Sequence, residues 1–222
     1  MKTREILKEL PYWKNLTQWE KELVAGNTVV RTYEKGEILH GRGESCMGML
    51  HILSGSVRVH MISDEGREIT LFHLNQGDSC ILSASCSISQ ITFETHMVAM
   101  EDTEVMVVNS GIYSALMEQN LNVRCFTYEL ATRRFSTVVW VMQQILFKGL
   151  DCRLAGFLLE SCAESGKDEV TMTQEEIARE INSAREAVAR MMKIFSRDGL
   201  IEVKRGLIII KDKRGLETIV NK

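Results

Sequence analysis

Arg185, Glu186 and Arg190 are the residues whose types and spacing carry the most chemistry in this 222-residue chain. At about 100° per residue, helical geometry puts all three on one face. On that wheel Arg185, Glu186, Ala189, Arg190, Lys193 and Arg197 fill one arc of roughly 140°, while Ala187, Val188, Met191, Met192, Ile194 and Phe195 fill the opposite, core-facing arc. An arginine fork pairs with O6 and N7 of guanine, and a glutamate accepts from N4 of cytosine. A basic face with one carboxylate near its start therefore holds the groups needed to read base edges. Lys193, Lys204 and Arg205 are expected on phosphates, and Ser183 and Thr173 complete the expected DNA-facing set. Most charged helix faces are merely solvated, so the case rests on what surrounds this one.

What surrounds it is a set of positioning signals in a fixed order. Thr173-Gln174-Glu175-Glu176 is a capping box, followed by the apolar Ile177, Ala178 and Ile181. Asn182-Ser183 supplies a tight turn, Ala184 opens a second helix running to about Asp198, and Gly199 stops it. Glu202-Val203-Lys204-Arg205-Gly206-Leu207 then reads as a hairpin, a wing beside a helix-turn-helix. Upstream, the spacing predicts a helix over Cys152–Glu164 with Asp151 as its cap, a glycine turn at Gly166 and a short strand near Val170.

Tyr128, Ala131, Phe135, Val138, Met142 and Ile145 recur at alternating steps of three and four, an a/d seam on a helix of roughly 28 residues and about 40 Å. Such a seam is expected to pair with a second copy; the plainer reading packs it on the chain's own β domain. From about Val29 to Asn109, short β-branched runs punctuated by glycines predict an antiparallel roll or barrel. Ser56-Val57-Arg58-Val59-His60 alternates with period two, and Ser63-Asp64-Glu65-Gly66-Arg67 reads as a hairpin turn. The fold class expected is α+β: a β-roll sensor with an N-terminal helical segment (1–119), a dimerisation helix (120–148) and a winged-helix DNA-binding domain (149–222).

With 45% hydrophobic and 26% charged residues and one proline, the composition excludes disordered and low-complexity classes. The net charge of −3 hides an uneven distribution, because Arg179–Arg214 holds ten basic and five acidic residues. The longest uncharged stretch, Ser79–Phe93, is too short and too rich in serine to span a bilayer. No apolar signal core follows Met1, so a cytoplasmic protein without a membrane partner is expected. The six cysteines form no CxxC pair and read as reduced thiols.

These motifs together resemble the winged-helix transcription regulators related to the cyclic-AMP receptor protein and the fumarate and nitrate reduction regulator. In the roll the resemblance lies at Tyr33-Glu34-Lys35-Gly36-Glu37-Ile38-Leu39, Ile52-Leu53-Ser54-Gly55-Ser56-Val57 and Leu74-Asn75-Gln76-Gly77-Asp78. In the C-terminal part it lies at Thr173–Ala178, Arg185–Arg190 and Gly199-Leu200-Ile201. The resemblance implies base contacts from Arg185, Glu186 and Arg190, a dimer helix over 120–147, and double-stranded DNA as partner. It also implies RNA polymerase as a partner if the chain is an activator. Ala189 stands where other members carry serine, so no operator sequence is borrowed.

The sensor departs from the family pattern. Cyclic-nucleotide binders of the family carry a Gly-Glu turn and an arginine for the cyclic phosphate, whereas here the turn reads Cys80–Cys86 and no lysine or arginine occurs between Arg67 and Arg124. A phosphate without a cationic partner binds poorly, which argues against cyclic AMP. No cysteine precedes Cys46, unlike the iron-sulfur branch, so an iron-sulfur cluster stays open only if folding gathers Cys46, Cys80, Cys86 and Cys125, whose separations match none of the usual ligand patterns. Haem on His73, Cys80, Cys86, His96 or Met97, a thiol switch through Cys80 and Cys86, and a small molecule in an apolar pocket lined by residues 80–93, Phe93 included, all stay open, as does a metal. The function expected is a homodimeric, sequence-specific DNA-binding transcription regulator controlled by such an effector or redox signal, with the hinge at Lys148–Asp151, and not an enzyme. The competing reading is a ligand- or metal-binding β-roll protein whose basic helix binds another protein.

Overall fold

The computed structural model describes residues 5–41, 47–82 and 94–221. They form two units, one of residues 1–67 and 71–138 and the other of residues 68–70 and 139–222. No helix among the described residues is long and apolar enough to cross a membrane.

The first unit opens with short 3-10 turns at Leu7–Glu9 and Trp13–Asn15 and helix α1 (Gln18–Gly26). Thr17 and Glu20 cap α1 reciprocally. Eight strands follow: β1 (Thr28–Tyr33), β2 (Ile38–His40), β3 (Met49–Ser54), β4 (Ser56–Ile62), β5 (Glu68–Asn75), β6 (Ser79–Cys80), β7 (His96–Ala99) and β8 (Thr103–Val108). They make two four-stranded sheets, ordered β1-β8-β3-β6 and β2-β7-β4-β5. This is the antiparallel roll that the glycine-punctuated runs predict. Gly55 joins β3 to β4 at φ +81°, where a Cβ would come within 2.6 Å of the Asp102 carbonyl, so the turn requires glycine on both counts.

The residues of β4 alternate with period two, and the polar Arg58 and His60 are buried along with Val57 and Val59. His60 pairs across the ladder with His96 and their rings lie 5.5 Å apart, so the polar face of β4 is covered as well.

Helices α2 (Ser110–Gln119) and α3 (Leu121–Phe147) follow the roll. Val123, Thr127 and Leu130 of α3 are buried, and Val123 and Leu130 join Leu7, Tyr12, Met49, Met106 and Tyr113 in one core. The Tyr113 hydroxyl and the Thr127 hydroxyl are 2.6 Å apart inside it.

The second unit contains α4 (Leu150–Ser165), β9 (Glu169–Val170), α5 (Gln174–Glu180), α6 (Arg185–Arg197), β10 (Ile201–Lys204), β11 (Leu207–Ile210) and α7 (Lys213–Val220). Strands β10, β11 and β9 form an antiparallel three-stranded sheet. Leu154, Leu158, Ile177, Val188, Met192, Phe195, Ile208 and Leu216 close its core. The expected Asp151 cap is not formed: Gly149 is the N-cap of α4 and Asp151 lies in its first turn. A carboxylate there still favours the positive end of the helix dipole.

His51, on β3, is buried, and its Nδ1 lies 2.9 Å from the Ser79 hydroxyl on β6. Burial lowers its pKa, while the Glu9 and Asp78 carboxylates pull weakly the other way. A folded-state pKa below the unfolded one means that the unfolded chain takes up the proton first. The stability is therefore complete above the ordinary histidine range near 6.5 and is lost as pH falls below it. Thermal unfolding between pH 8 and 5 should show wild type losing more than His51→Gln; parallel curves would remove His51 as the cause.

Candidate nucleic-acid interface

The helix-turn-helix is built from local signals. The Thr173 hydroxyl oxygen accepts from the Glu176 N–H at 3.2 Å, and the Glu176 carboxylate accepts from the Thr173 N–H at 2.7 Å. That cap starts α5 and leaves the Thr173 hydroxyl proton available to an outside acceptor. Asn182 takes φ 54°, the left-handed conformation that asparagine tolerates in a tight turn. The Ser183 N–H donates to the Ala178 carbonyl. Ala184 caps α6 with no side-chain bond; its carbonyl accepts from the Ala187 and Val188 N–H groups, which leaves those of Arg185 and Glu186 without an acceptor from the cap.

On α6 the two arcs separate as the wheel predicts. Val188, Met192 and Phe195 are buried, and Arg185, Glu186, Arg190, Lys193 and Arg197 are exposed. Ile194 is the exception on the apolar side, 40% exposed because it sits at the edge of that arc. Arg185 lines a groove of about 370 Å³ together with Thr173, Gln174, Glu175, Lys204 and Arg205. The start of α5, the start of α6 and the β10–β11 tip thus converge on one concave surface. Gln174 joins it without having been singled out from the sequence; its place directly after the capping threonine was the available signal.

Charge in and around the groove is unevenly committed. Glu202 holds Lys211 at 2.7 Å and Lys204 at 3.2 Å, and these two lysines, Lys211 foremost, keep its carboxyl below the usual range. Arg179 pairs with Glu175 at 2.7 Å. Among the described residues Arg185, Arg190, Lys193 and Arg205 make no ion pair, so their charge faces outward uncompensated.

Residues 152–219 match the Crp-like helix-turn-helix domain, and residues 30–120 match the cyclic nucleotide-binding domain. The crystal structure of a CRP/FNR-family protein from Eubacterium rectale is 39% identical, covers 97% of this chain and 100% of its own, and superposes with a TM-score of 0.90. The chain belongs to the CRP/FNR family. The cyclic AMP receptor protein of Thermus thermophilus is 22% identical over 213 residues, covering 96% of this chain and 98% of its own. The transcriptional activator protein anr of Pseudomonas aeruginosa is 28% identical over 193 residues, covering 82% and 76% respectively. CRP/FNR proteins are DNA-binding transcription regulators, and this chain carries both of their domains in order.

The remaining sequence candidates fall in two places. Tyr128, Phe135 and Met142 are exposed on α3, with Ala131, Val138 and Ile145 half-buried between them. In the roll, Cys80 is fully buried on β6 opposite Leu50, and His96 is half-buried beside His60. Cys86 and Phe93 lie outside the described residues. Among the described residues no three histidine, cysteine, aspartate or glutamate side chains gather as a metal would require.

The hinge expected at Lys148–Asp151 is bridged from α4. The Arg153 guanidinium donates through Nη1 to the carbonyl of Lys148 at 2.8 Å and lies 3.4 Å from that of Gln144. A cation on these last-turn carbonyls caps the end of α3.

Proposed function

We propose that this CRP/FNR-family chain works as a homodimer that binds a specific duplex sequence through α6, under control of an effector or redox signal sensed in the roll. The roll (1–119), the dimer helix (120–148) and the winged helix (149–222) divide those tasks. Arg185, Glu186 and Arg190 read bases in the major groove, while Thr173, Ser183, Lys193, Lys204 and Arg205 meet phosphates. The observation that carries the reading is the unpaired Arg185 guanidinium in the groove that also holds Lys204, Arg205 and the Thr173 cap. In a twofold dimer the two α6 helices must reach half-sites about 34 Å apart. An effector that binds one dimer arrangement better shifts the population toward it.

Duplex binding should weaken linearly in log–log plots against salt, by about 0.9 for each phosphate neutralised. Lys204→Ala and Arg205→Ala should each lower affinity similarly on cognate and random duplex, and each should flatten that slope by about 1. A slope near zero would instead favour a protein partner for the basic helix. Cyclic AMP is not the proposed signal, since residues 68–123 hold no lysine or arginine to stand where the family's phosphate-clamping arginine does.

A further inference from the structure

The segment between Arg67 and Arg124 has no lysine or arginine of its own, but an arginine reaches it from α3. The Arg134 guanidinium carbon sits 4.6 Å from the centre of the Phe72 ring on β5. Its Nη2 donates to the Ser79 carbonyl on β6 at 3.3 Å and lies 3.5 Å from an Asp78 carboxylate oxygen. The Arg134 side chain is 16% exposed, whereas that of Asp78 is 42% exposed. Its Nε is fully buried and has no hydrogen-bond partner.

That arrangement is costly as it stands. A largely buried guanidinium needs several acceptors, and this one has a carbonyl, a ring face and one half-solvated carboxylate at long range. Beside it lies a cavity of about 240 Å³, lined by Arg134, Arg133, Asp78, Phe126, Leu130 and Pro11 among others. We infer that this cavity binds a small organic monocarboxylate, its carboxylate on the Arg134 guanidinium and its apolar body against Phe126 and Leu130.

Each part of that ligand class follows from a lining group. Of the Arg134 donors, Nη2 is held by the Ser79 carbonyl whereas Nη1 has no protein acceptor among the described residues, so the guanidinium that lines the cavity still has N–H groups for a carboxylate. Asp78 repels a doubly charged anion more than a singly charged one, which disfavours free phosphate. The volume lies just under the roughly 300 Å³ at which pockets for drug-sized ligands begin, so the ligand is about the size of benzoate. Calling this ligand the effector rests on the regulator reading above; the site itself does not.

Thermal unfolding of the purified full chain, without DNA, tests the site with benzoate, its neutral isostere benzamide, and inorganic phosphate at equal millimolar concentration. Benzoate is expected to raise Tm by about 2–4 °C, benzamide and phosphate by much less. Arg134→Gln should lose the benzoate shift and Arg134→Lys should keep part of it. Equal shifts from benzoate and benzamide, a shift from phosphate alone, no benzoate shift in wild type, or a full shift in Arg134→Gln would each overturn the proposal. Comparing ligands on wild type keeps the test valid if a variant fails to fold. Because no duplex is present, loss of DNA binding cannot produce any of these results.

Discussion

Replacing Arg185 with alanine is expected to cost about 1–3 kcal/mol on the cognate operator, roughly a 5- to 150-fold loss of affinity, while leaving Tm unchanged. The Tm expectation follows from exposure: the side chain makes no ion pair and no part of the core rests on it. The affinity expectation follows from the bidentate geometry available to a guanidinium that starts a helix beside an open groove. Arg185→Lys separates charge from shape. Lysine keeps the phosphate attraction but loses the fork, so it should retain most binding to random duplex and relax preference at one base position. Selection of bound sequences from a randomised duplex pool, run on wild type and both variants, reads that position directly. An unchanged preference with unchanged affinity would remove Arg185 from base reading and hand the role to Arg190.

How much of this was legible in the sequence depends on the range of the interactions. The capping box at Thr173 and Glu176, the split faces of α6 and the heptad steps of α3 are set by residues within a turn or two of each other. Periodicity therefore reveals them. Buried faces in the roll are set by distant strands. The alternation of β4 correctly gave its pleat but not that Arg58 and His60 would be covered, since His96 arrives from 36 positions downstream. Arg134 is the same case at greater consequence: nothing within a turn or two of it in the sequence marks it out, because its partner Asp78 lies 56 positions away. Asp151 failed for a local reason, because Gly149 in extended conformation took the cap position two residues earlier.

Phe135→Glu is expected to convert the protein to a monomer at micromolar concentration and to lower its affinity for a two-half-site operator by about 100-fold or more. Leu121, Tyr128, Phe135 and Met142 recur every seven residues along α3 and are 67%, 59%, 69% and 53% exposed, a continuous apolar line on a helix of 27 residues. Water-exposed aromatic and aliphatic side chains on one line are unusual for a surface that stays bare. Burying one such side chain gains about 1.5–3 kcal/mol, and a twofold interface counts each residue twice. Glutamate at 135 removes both gains and sets two carboxylates near each other in the seam. The operator loss follows because two linked α6 helices bind with an effective concentration that separate monomers lack. Phe135→Leu keeps the seam apolar and should remain dimeric, which distinguishes a lost interface from a damaged helix. Sedimentation of the three proteins, with half-site and full-site titrations alongside, decides the matter: a dimeric Phe135→Glu with undiminished full-site affinity would place the dimer contact off this stripe.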